Sequence, residues 1–333
     1  MTLSRLRVAL MSCVALLSLA ALTACVSDTS SNSAPPGQPG LTAIRISATG
    51  TDSLPFMATI QLAQNKGWFS EQGVDVSLYS GSGGGNTLRP VSTGDADIAI
   101  AGNTSVVLAA QKADSGIKIV APWFQVNDFS FIGPQKVSLD GATFGFSSAG
   151  STTELITKAL QAKHPGLQTI GVGQSGENWA AAKAGRITAG WAMHPFINQM
   201  EEQQGAQVVL DSRTEIGDFP ADLVAVNTQF AAAHPEAVSA FFTAMAKTFN
   251  YVATDPANAA KDLAPMLKVD AGVLQRGIEQ TPEPAKAYSL KVDPAGLKNL
   301  SDLMVQAGFI KAPVDWTTAL DQQYLPATDR TTM

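Results

Sequence analysis

Apolar and polar residues alternate in a pattern that predicts short strands separated by helices. Apolar side chains occupy every second position in Thr42–Ala48 and in Val74–Leu78, the period of a half-buried strand. Between these two runs, apolar residues recur at helical spacing behind Pro55, a residue suited to the first turn of a helix. Strand-like and helix-like runs continue to alternate, which is typical of an α/β fold with parallel sheets.

The same pattern extends through a second set of elements and ends in consecutive helices. Gly133-Pro134 separates the two sets. Further strands are predicted at Asp97–Ala101, Ile117–Ala121, Thr143–Phe146, Gln168–Val172, Ile187–Trp191 and Asp222–Val226. Helices are predicted at Thr152–Lys163, Asn178–Ala184, Pro235–Thr254, Pro256–Met266, Ala271–Gln280 and Pro294–Ala307. We therefore expect two α/β lobes, with the C-terminal helices packed on the first.

The N-terminal residues resemble an export signal. Met1–Arg7 is basic, Val8–Leu22 is apolar but shorter than the roughly 20 residues of a membrane span, and small residues follow. Leu22-Thr23-Ala24-Cys25 resembles the lipobox of bacterial lipoproteins, in which the cysteine receives diacylglycerol. This resemblance implies lipidation at Cys25, export and anchoring to the cell membrane. An ordinary signal peptide that contains a cysteine is the alternative.

Cysteine use and composition divide the chain further. The only other cysteine, Cys13, would leave with the signal, so no internal disulfide is expected. A stretch rich in Ser, Pro and Gly follows Cys25 and predicts a flexible tether. The expected divisions are a signal peptide at 1–24, a tether at 25–40, a first lobe at 41–132 and 228–333, and a second lobe at 133–227.

Charge and motif content exclude several functions. A formal charge of −6 over 333 residues argues against nucleic-acid binding. Three scattered histidines give no metal-ligand spacing, and we expect neither a metal nor a cofactor. Gly145–Ala149 is a loose nucleophile elbow, and Gly171–Gly176 matches GxGxxG without the acidic residue expected about 20 positions later. Both are weak, so no enzyme activity is expected.

Several segments, taken in order, resemble one family. Ala63–Val76 (AQNKGWFSEQGVDV), Arg89–Ala99 (RPVSTGDADIA), Asp222–Asn227 and His234–Val238 are similar to the substrate-binding proteins of ABC importers. The resemblance is to the nitrate, sulfonate, taurine and thiamine-precursor group in particular.

This resemblance implies a periplasmic-binding-protein fold of type II. Two Rossmann-like lobes would be joined by a hinge, with crossings near Ser130–Gln135 and Asp222–Asn227, and a small-molecule ligand would lie between the lobes. An ABC permease is the implied protein partner, and a monomer is the expected state.

In such a fold, ligands bind beyond the carboxyl ends of the strands, where helix N-termini favour an anion or a polar head. Four polar loops have this position. We predict that they supply ligand contacts from Thr51, Asp52, Gly83, Gly84, Asn86, Asn103, Thr104, Ser105, Ser148, Gly150, Ser151 and Thr152.

Other candidates would form the walls of the cleft. Trp191 and His194 are predicted to stack on or cap the ligand, and Asp222 could accept a hydrogen bond from a ligand amine. Trp123, Phe124 and Trp179 are weaker candidates. Packing, helix capping or solvation is the alternative role for each of these residues.

The sequence thus predicts a lipid-anchored solute-binding protein that captures a small organic anion, such as a sulfonate, by hinge closure. A pyrimidine thiamine precursor or another heterocycle is the alternative ligand. An enzyme on the same scaffold, or a ligand-sensing partner of a membrane receptor, remains open.

Overall fold

Ten strands form two five-stranded sheets in the computed structural model, which describes residues 40–81 and 83–333. In chain order, β1 to β10 are Thr42–Thr49, Val74–Gly81, Ile98–Gly102, Ile117–Trp123, Ser130–Gly133, Thr143–Phe146, Gln168–Gly171, Ala189–Ala192, Gln207–Asp211 and Asp222–Asn227. The first sheet has the order β2-β1-β3-β10-β4 and the second the order β7-β6-β8-β5-β9.

Fourteen α-helices surround these sheets within the described residues. In chain order, α1 to α14 are Pro55–Asn65, Gly85–Thr93, Asn103–Ala110, Thr152–Lys163, Ser175–Lys183, Phe196–Gln204, Ser212–Ile216, Thr228–Ala233, Pro235–Thr254, Pro256–Leu267, Ala271–Gln280, Pro284–Ala287, Pro294–Gln306 and Trp316–Ala319. Short 3-10 turns lie at Ser70–Gln72, Gln322–Tyr324 and Ala327–Asp329. None of the helices that the structure describes is both long and apolar enough to span a membrane.

The α/β class is confirmed, but the sheets are mixed rather than parallel. Strand β10 runs antiparallel to β3 and β4, and β5 runs antiparallel to β8 and β9. Each of these strands is the first after the chain has passed from one sheet to the other. Each passage starts at the carboxyl end of a strand, so the chain enters the other sheet at the end where its parallel strands finish. The entering strand therefore runs antiparallel to its neighbours.

Two segments, residues 124–129 and 212–221, join the sheets and are bonded to each other. The Asn127 side chain donates to the Gly217 carbonyl (3.0 Å), and the Ser212 hydroxyl donates to Asn127 Oδ1 (2.7 Å). The Ala221 N–H donates to the Phe124 carbonyl at 2.8 Å. By sheet membership, β5 belongs to the second half and β10 to the first. The chain therefore changes halves a few residues before the predicted boundaries at 133 and 228. The division into lobes itself stays a prediction.

The C-terminal helices contact both halves of the molecule. Helices α9 and α10 pack on α1, as expected, but α11 contacts α6 and α13 contacts α4. The Asn198 amide donates to Gln280 Oε1 at 2.6 Å, and Arg276 pairs with Glu202. The predicted packing on the first lobe therefore describes α9 and α10, whereas polar side chains on α6 hold α11 and α13 packs on α4.

One large hydrophobic cluster underlies both sheets. Ile44 and Ile46 of β1 are fully buried, as are Phe131 and Phe144 of the second sheet, whose rings stack with centroids 4.5 Å apart. This core fixes the strand ends, which surround the cavity described below.

Candidate ligand-binding site

A cavity of about 420 Å³ lies between the two sheets, at the carboxyl ends of their parallel strands and at the starts of β5 and β10. Residues from β1, β3 and β10 face residues that follow β6 and residues of β8. Nine of the predicted site residues line it: Asp52, Gly83, Gly84, Ser105, Ser148, Ser151, Thr152, Trp191 and Asp222. The structure therefore brings together the loops that the sequence singled out. Whether they bind a ligand stays a prediction.

Five helices begin at the cavity wall. The residues immediately before the first turns of α1 to α5 all line it: Leu54, Gly84, Gly102, Ser151 and Gln174. The first four N–H groups of a helix have no partner within the helix, and the helix dipole places partial positive charge there. The cavity is therefore suited to an anionic or carbonyl-bearing group, although none of the described lining residues is basic.

The floor of the cavity is closed by contacts between the two halves. The Thr152 hydroxyl donates to Asn103 Oδ1 (3.1 Å), and the Ser105 hydroxyl donates to the Gly150 carbonyl (2.8 Å). Gly102 leaves room for this approach, since a Cβ there would lie 2.7 Å from Thr152 Oγ1.

Six predicted residues lie outside the lining: Thr51, Asn86, Asn103, Thr104, Gly150 and His194. Asn103 is fully buried and donates to the Pro220 carbonyl at 2.7 Å, so it holds the floor rather than facing the cavity. Asn86 is exposed. The His194 ring bonds Asn198 Oδ1 at 2.6 Å, and its pKa is lowered because burial outweighs that bond.

The apolar wall differs from the predicted one. Phe129, Met193 and Phe196 line the cavity beside Trp191, whose indole N–H donates to the Gly173 carbonyl at 3.0 Å. All three were missed, although Met193 and Phe196 closely follow the strand that carries Trp191.

The weaker aromatic candidates were wrong as wall residues because core packing takes them. Trp123 is fully buried and packs against Phe249, with ring centroids 4.7 Å apart. Phe124 stacks on Phe56 at 4.0 Å. Trp179 is 4% exposed, and its indole N–H bonds Gln204.

The GxGxxG segment contributes to the cavity wall. We do not interpret it as a dinucleotide-binding loop. Gln174, Ser175 and Gly176 line the cavity where α5 begins. The motif lacks the acidic residue expected of a dinucleotide site, but its position between a strand and a helix places it at the cavity wall.

The charged groups on the cavity wall are both acidic. Among the described lining residues, Asp52 and Asp222 are the ionisable ones, and no Lys, Arg or His takes part. Asp52 is exposed, whereas burial raises the pKa of Asp222 to about 7. Within residues 40–81 and 83–333, no group of three metal-ligating side chains could hold an ion. Cys25 lies outside the described residues, as do the predicted signal and nearly all of the tether.

A wider depression of about 490 Å³ lies on another face, lined by Lys163, Asp218, Lys286 and Asp293 among others. Its charges are already paired, since Lys286 contacts Asp218 at 3.2 Å and Asp293 at 2.9 Å. We regard the cavity between the sheets as the better candidate.

Comparison with known proteins agrees with this architecture. Residues 55–259 match the family model described as NMT1/THI5 like. The chain is 22% identical over 259 residues to a putative binding protein, YtlA, of Bacillus subtilis, covering 72% of this chain and 75% of that protein.

Two solved structures illustrate the likeness. The zinc-bound ligand-binding component of an ABC-type import system from Staphylococcus aureus superposes with a TM-score of 0.70 at 17% identity, covering 87% of this chain and all of that one. The alkanesulfonate-binding protein SsuA from Xanthomonas axonopodis pv. citri, bound to MOPS, gives 0.64 at 15%, covering 86% and 99%. These likenesses show the periplasmic-binding-protein fold, as predicted.

Proposed function

The chain belongs to the NMT1/THI5-like family, and on that premise we propose that it is the solute-binding component of an ABC-type importer. It binds its solute without transforming it. Relatives of the same fold include a ligand-binding component of such an import system and an alkanesulfonate-binding protein.

The observation that carries this proposal is the cavity at which five helices begin. A ligand of drug-like size fits a volume of this order, and small-molecule sites commonly combine apolar walls with a few polar groups. The helix starts at Gly102, Ser151 and Gln174 suit the acidic head of a small organic anion, such as a sulfonate or carboxylate.

Capture proceeds by closure of the two halves around the solute. The two joining segments, residues 124–129 and 212–221, are the natural place for bending, because they connect the sheets and are bonded to each other. A ligand that touches both halves binds the closed form better and shifts the population toward it. The permease would then recognise the closed form.

A lipid anchor at Cys25, with export and a tether, completes the proposal on sequence grounds alone. Cys25→Ser should release the protein from the membrane fraction. Mass spectrometry of the mature N-terminus would contradict the anchor if Cys25 were unmodified or absent.

The proposal is tested by thermal-shift and small-angle scattering measurements with sulfonates, carboxylates, nitrate and pyrimidines. We expect at least one solute to raise the melting temperature and to reduce the radius of gyration. Gly176→Phe should abolish both effects. Gly176 lines the cavity and a Cβ there meets no atom within 4 Å, so the phenylalanine side chain is accommodated and occupies the space of the solute. Ala184→Phe, at the exposed end of the same helix, is the control. Binding that survives Gly176→Phe would place the site elsewhere.

A heterocyclic ligand, such as a pyrimidine thiamine precursor, is the second candidate. It is favoured by the aromatic wall of Phe129, Trp191 and Phe196, which would stack on a flat ring. A shift with pyrimidines and none with the acids would select it.

A further inference from the structure

A buried asparagine lies behind the cavity wall where α5 begins. Asn178, in the first turn of α5, is fully buried, whereas the residues before it at 174–176 line the cavity. Among the residues that the structure describes, Asn178 Oδ1 is the one buried side-chain nitrogen or oxygen without a hydrogen-bond partner. Leaving a buried acceptor unpaired is costly, so the position of this side chain needs a physical reason.

Two glycines on neighbouring strands make room for Asn178. Gly145 of β6 and Gly190 of β8 are paired across the sheet. A Cβ at Gly190 would lie 2.5 Å from Asn178 Cβ, and a Cβ at Gly145 would collide with Asn178 Oδ1. Glycine inside a strand ordinarily weakens the strand and often marks a close approach. The sheet therefore lacks two side chains at the place where one asparagine packs.

The amide nitrogen of Asn178 accounts for this placement. It donates to the Gly173 carbonyl at 2.7 Å and to the Gln174 carbonyl at 3.2 Å. Because both partners are acceptors, the orientation of the amide is fixed and Oδ1 faces away from them. The Gly173 carbonyl also accepts from the indole N–H of Trp191 at 3.0 Å. One carbonyl thus links Asn178 to an aromatic residue of the cavity wall.

We propose that Asn178 is a positioning residue of the ligand cavity: it fixes the loop before α5 and, through the Gly173 carbonyl, the indole of Trp191. The inference rests on the proposed function and concerns a residue that does not itself line the cavity. Binding sites need lining groups held to within about 0.5 Å by the residues that support them. The unpaired oxygen accompanies the two N–H donors, because an amide carries both.

A packing role alone makes a different prediction, and Asn178→Leu separates the two. The variant keeps the branched shape, introduces a stronger helix former and removes the unpaired oxygen. Neither carbonyl loses its last donor, because the Trp191 indole still bonds Gly173 and the N–H of residue 178 still bonds Gln174 at 2.9 Å. The variant should therefore fold, with a melting temperature within about 2 °C of wild type or above it. If Asn178 served packing alone, the cavity wall and the ligand affinity would be unchanged too.

The test follows the Trp191 indole N–H and ligand affinity in the full mature protein. The chain has five tryptophans, and Trp191→Phe identifies the signal of Trp191 in a proton–nitrogen NMR spectrum. In Asn178→Leu, we expect this N–H to exchange with solvent about 3- to 10-fold faster, the equivalent of one lost hydrogen bond. Calorimetry should show that ethanesulfonate binds more weakly by the same factor of about 3 to 10. Asn250→Leu, the same change at an exposed position of α9, should alter neither quantity.

The other outcomes separate this inference from the proposed function. Wild-type exchange and affinity in Asn178→Leu would overturn the inference and leave the proposed function intact. Faster exchange with unchanged ethanesulfonate affinity would overturn it too, because the loop would then not serve binding. If ethanesulfonate does not bind the wild type, the acidic ligand class fails, and the exchange rate, measured without ligand, decides the inference.

A second variant keeps the test decisive if Asn178→Leu does not fold. Asn178→Ala removes the same two donors without filling the space between Gly145 and Gly190. It should be less stable than wild type but show the same faster exchange of the Trp191 indole N–H. Wild-type exchange in Asn178→Ala would overturn the inference.

Discussion

Asp222 is half-buried, and among the residues that the structure describes no hydrogen bond or charge shifts the pKa of its carboxylate, so its removal should stabilise the ligand-free protein. Asp222→Asn keeps the shape of the side chain and removes the ionisable group. Because burial raises the pKa of Asp222 to about 7, the folded state holds a proton that the unfolded chain releases near pH 4. The wild-type protein therefore loses stability as the pH rises from about 4 through about 7, and the variant does not.

The size of the effect follows from the shift. A pKa change of about 3 units, at 1.36 kcal/mol per unit, limits the difference in unfolding free energy between the variant and the wild type to about 4 kcal/mol above pH 8. Because water reaches the carboxylate from the cavity, we expect about 2–4 kcal/mol. At about 2 °C per kcal/mol for a chain of this size, the melting temperature should increase by about 4–8 °C.

Thermal unfolding of the ligand-free proteins between pH 4 and pH 9 tests this expectation. The difference between Asp222→Asn and wild type should be near zero at pH 4 and reach its full value by pH 8, while other titrating groups cancel in the difference. Asp302→Asn, whose carboxylate is exposed beside Lys298, should show no such dependence. A difference that does not vary with pH, or that increases toward pH 4, would refute the reasoning about burial.

Three further predictions concern the floor, the joining segments and the wall. Gly102→Val should weaken solute binding at least about tenfold in calorimetry, because its Cβ would lie 2.7 Å from Thr152 Oγ1 and force the halves apart; unchanged affinity would contradict a closed floor. Asp218→Asn should cost about 1–3 kcal/mol in denaturant unfolding at pH 7, since it breaks the pair with Arg213 (2.7 Å). Burial opposes ionisation of Asp218, but hydrogen bonds, that from Arg213 foremost, lower its pKa overall, so the difference should shrink below about pH 4 and must not grow there. Trp191→Phe should remove most of the ligand-induced change in intrinsic fluorescence, and a full response in this variant would show that the solute binds away from the wall.

Elements with strong local signals were predictable from the sequence. The strand Thr143–Phe146 and the helices Thr152–Lys163 and Ala271–Gln280 have the predicted bounds. The first of these helices is capped by Ser151, whose hydroxyl accepts from the Glu154 N–H at 3.1 Å, and the second by Asp270. Such caps lie within a few residues of the helix, so sequence alone can locate them.

Strand direction and partner choice were not predictable in the same way. Nothing within Ser130–Gly133 indicates that it runs antiparallel in the second sheet, because that direction depends on where the chain has come from. The edge strand Gln207–Asp211 was missed for a related reason: it is partly exposed, and β5 is its one partner among the described strands. Long-range pairing overrides local pattern at both places.

The candidate site shows the same division between local and distant information. Polar loops behind strands were identifiable, but which side chain faces the cavity depends on contacts from the other half. Asn103 is a predicted site residue, but its amide nitrogen donates to the Pro220 carbonyl and its Oδ1 accepts from the Thr152 hydroxyl. Both partners are distant in sequence. Phe129 lines the wall because a joining segment ends beside the cavity, which no local spacing reveals.

The position of Asp222 connects ligand charge with closure. It directly follows Ala221, whose N–H bonds the Phe124 carbonyl of the other joining segment at 2.8 Å. The carboxylate predicted from the sequence to accept from a ligand amine therefore lies where the chain enters the first sheet, and the Ala221 carbonyl accepts from the Thr152 hydroxyl of the opposite half at 3.3 Å. A solute that pairs with Asp222 while its acidic end meets the α4 start would pull on both sides of the joining segments.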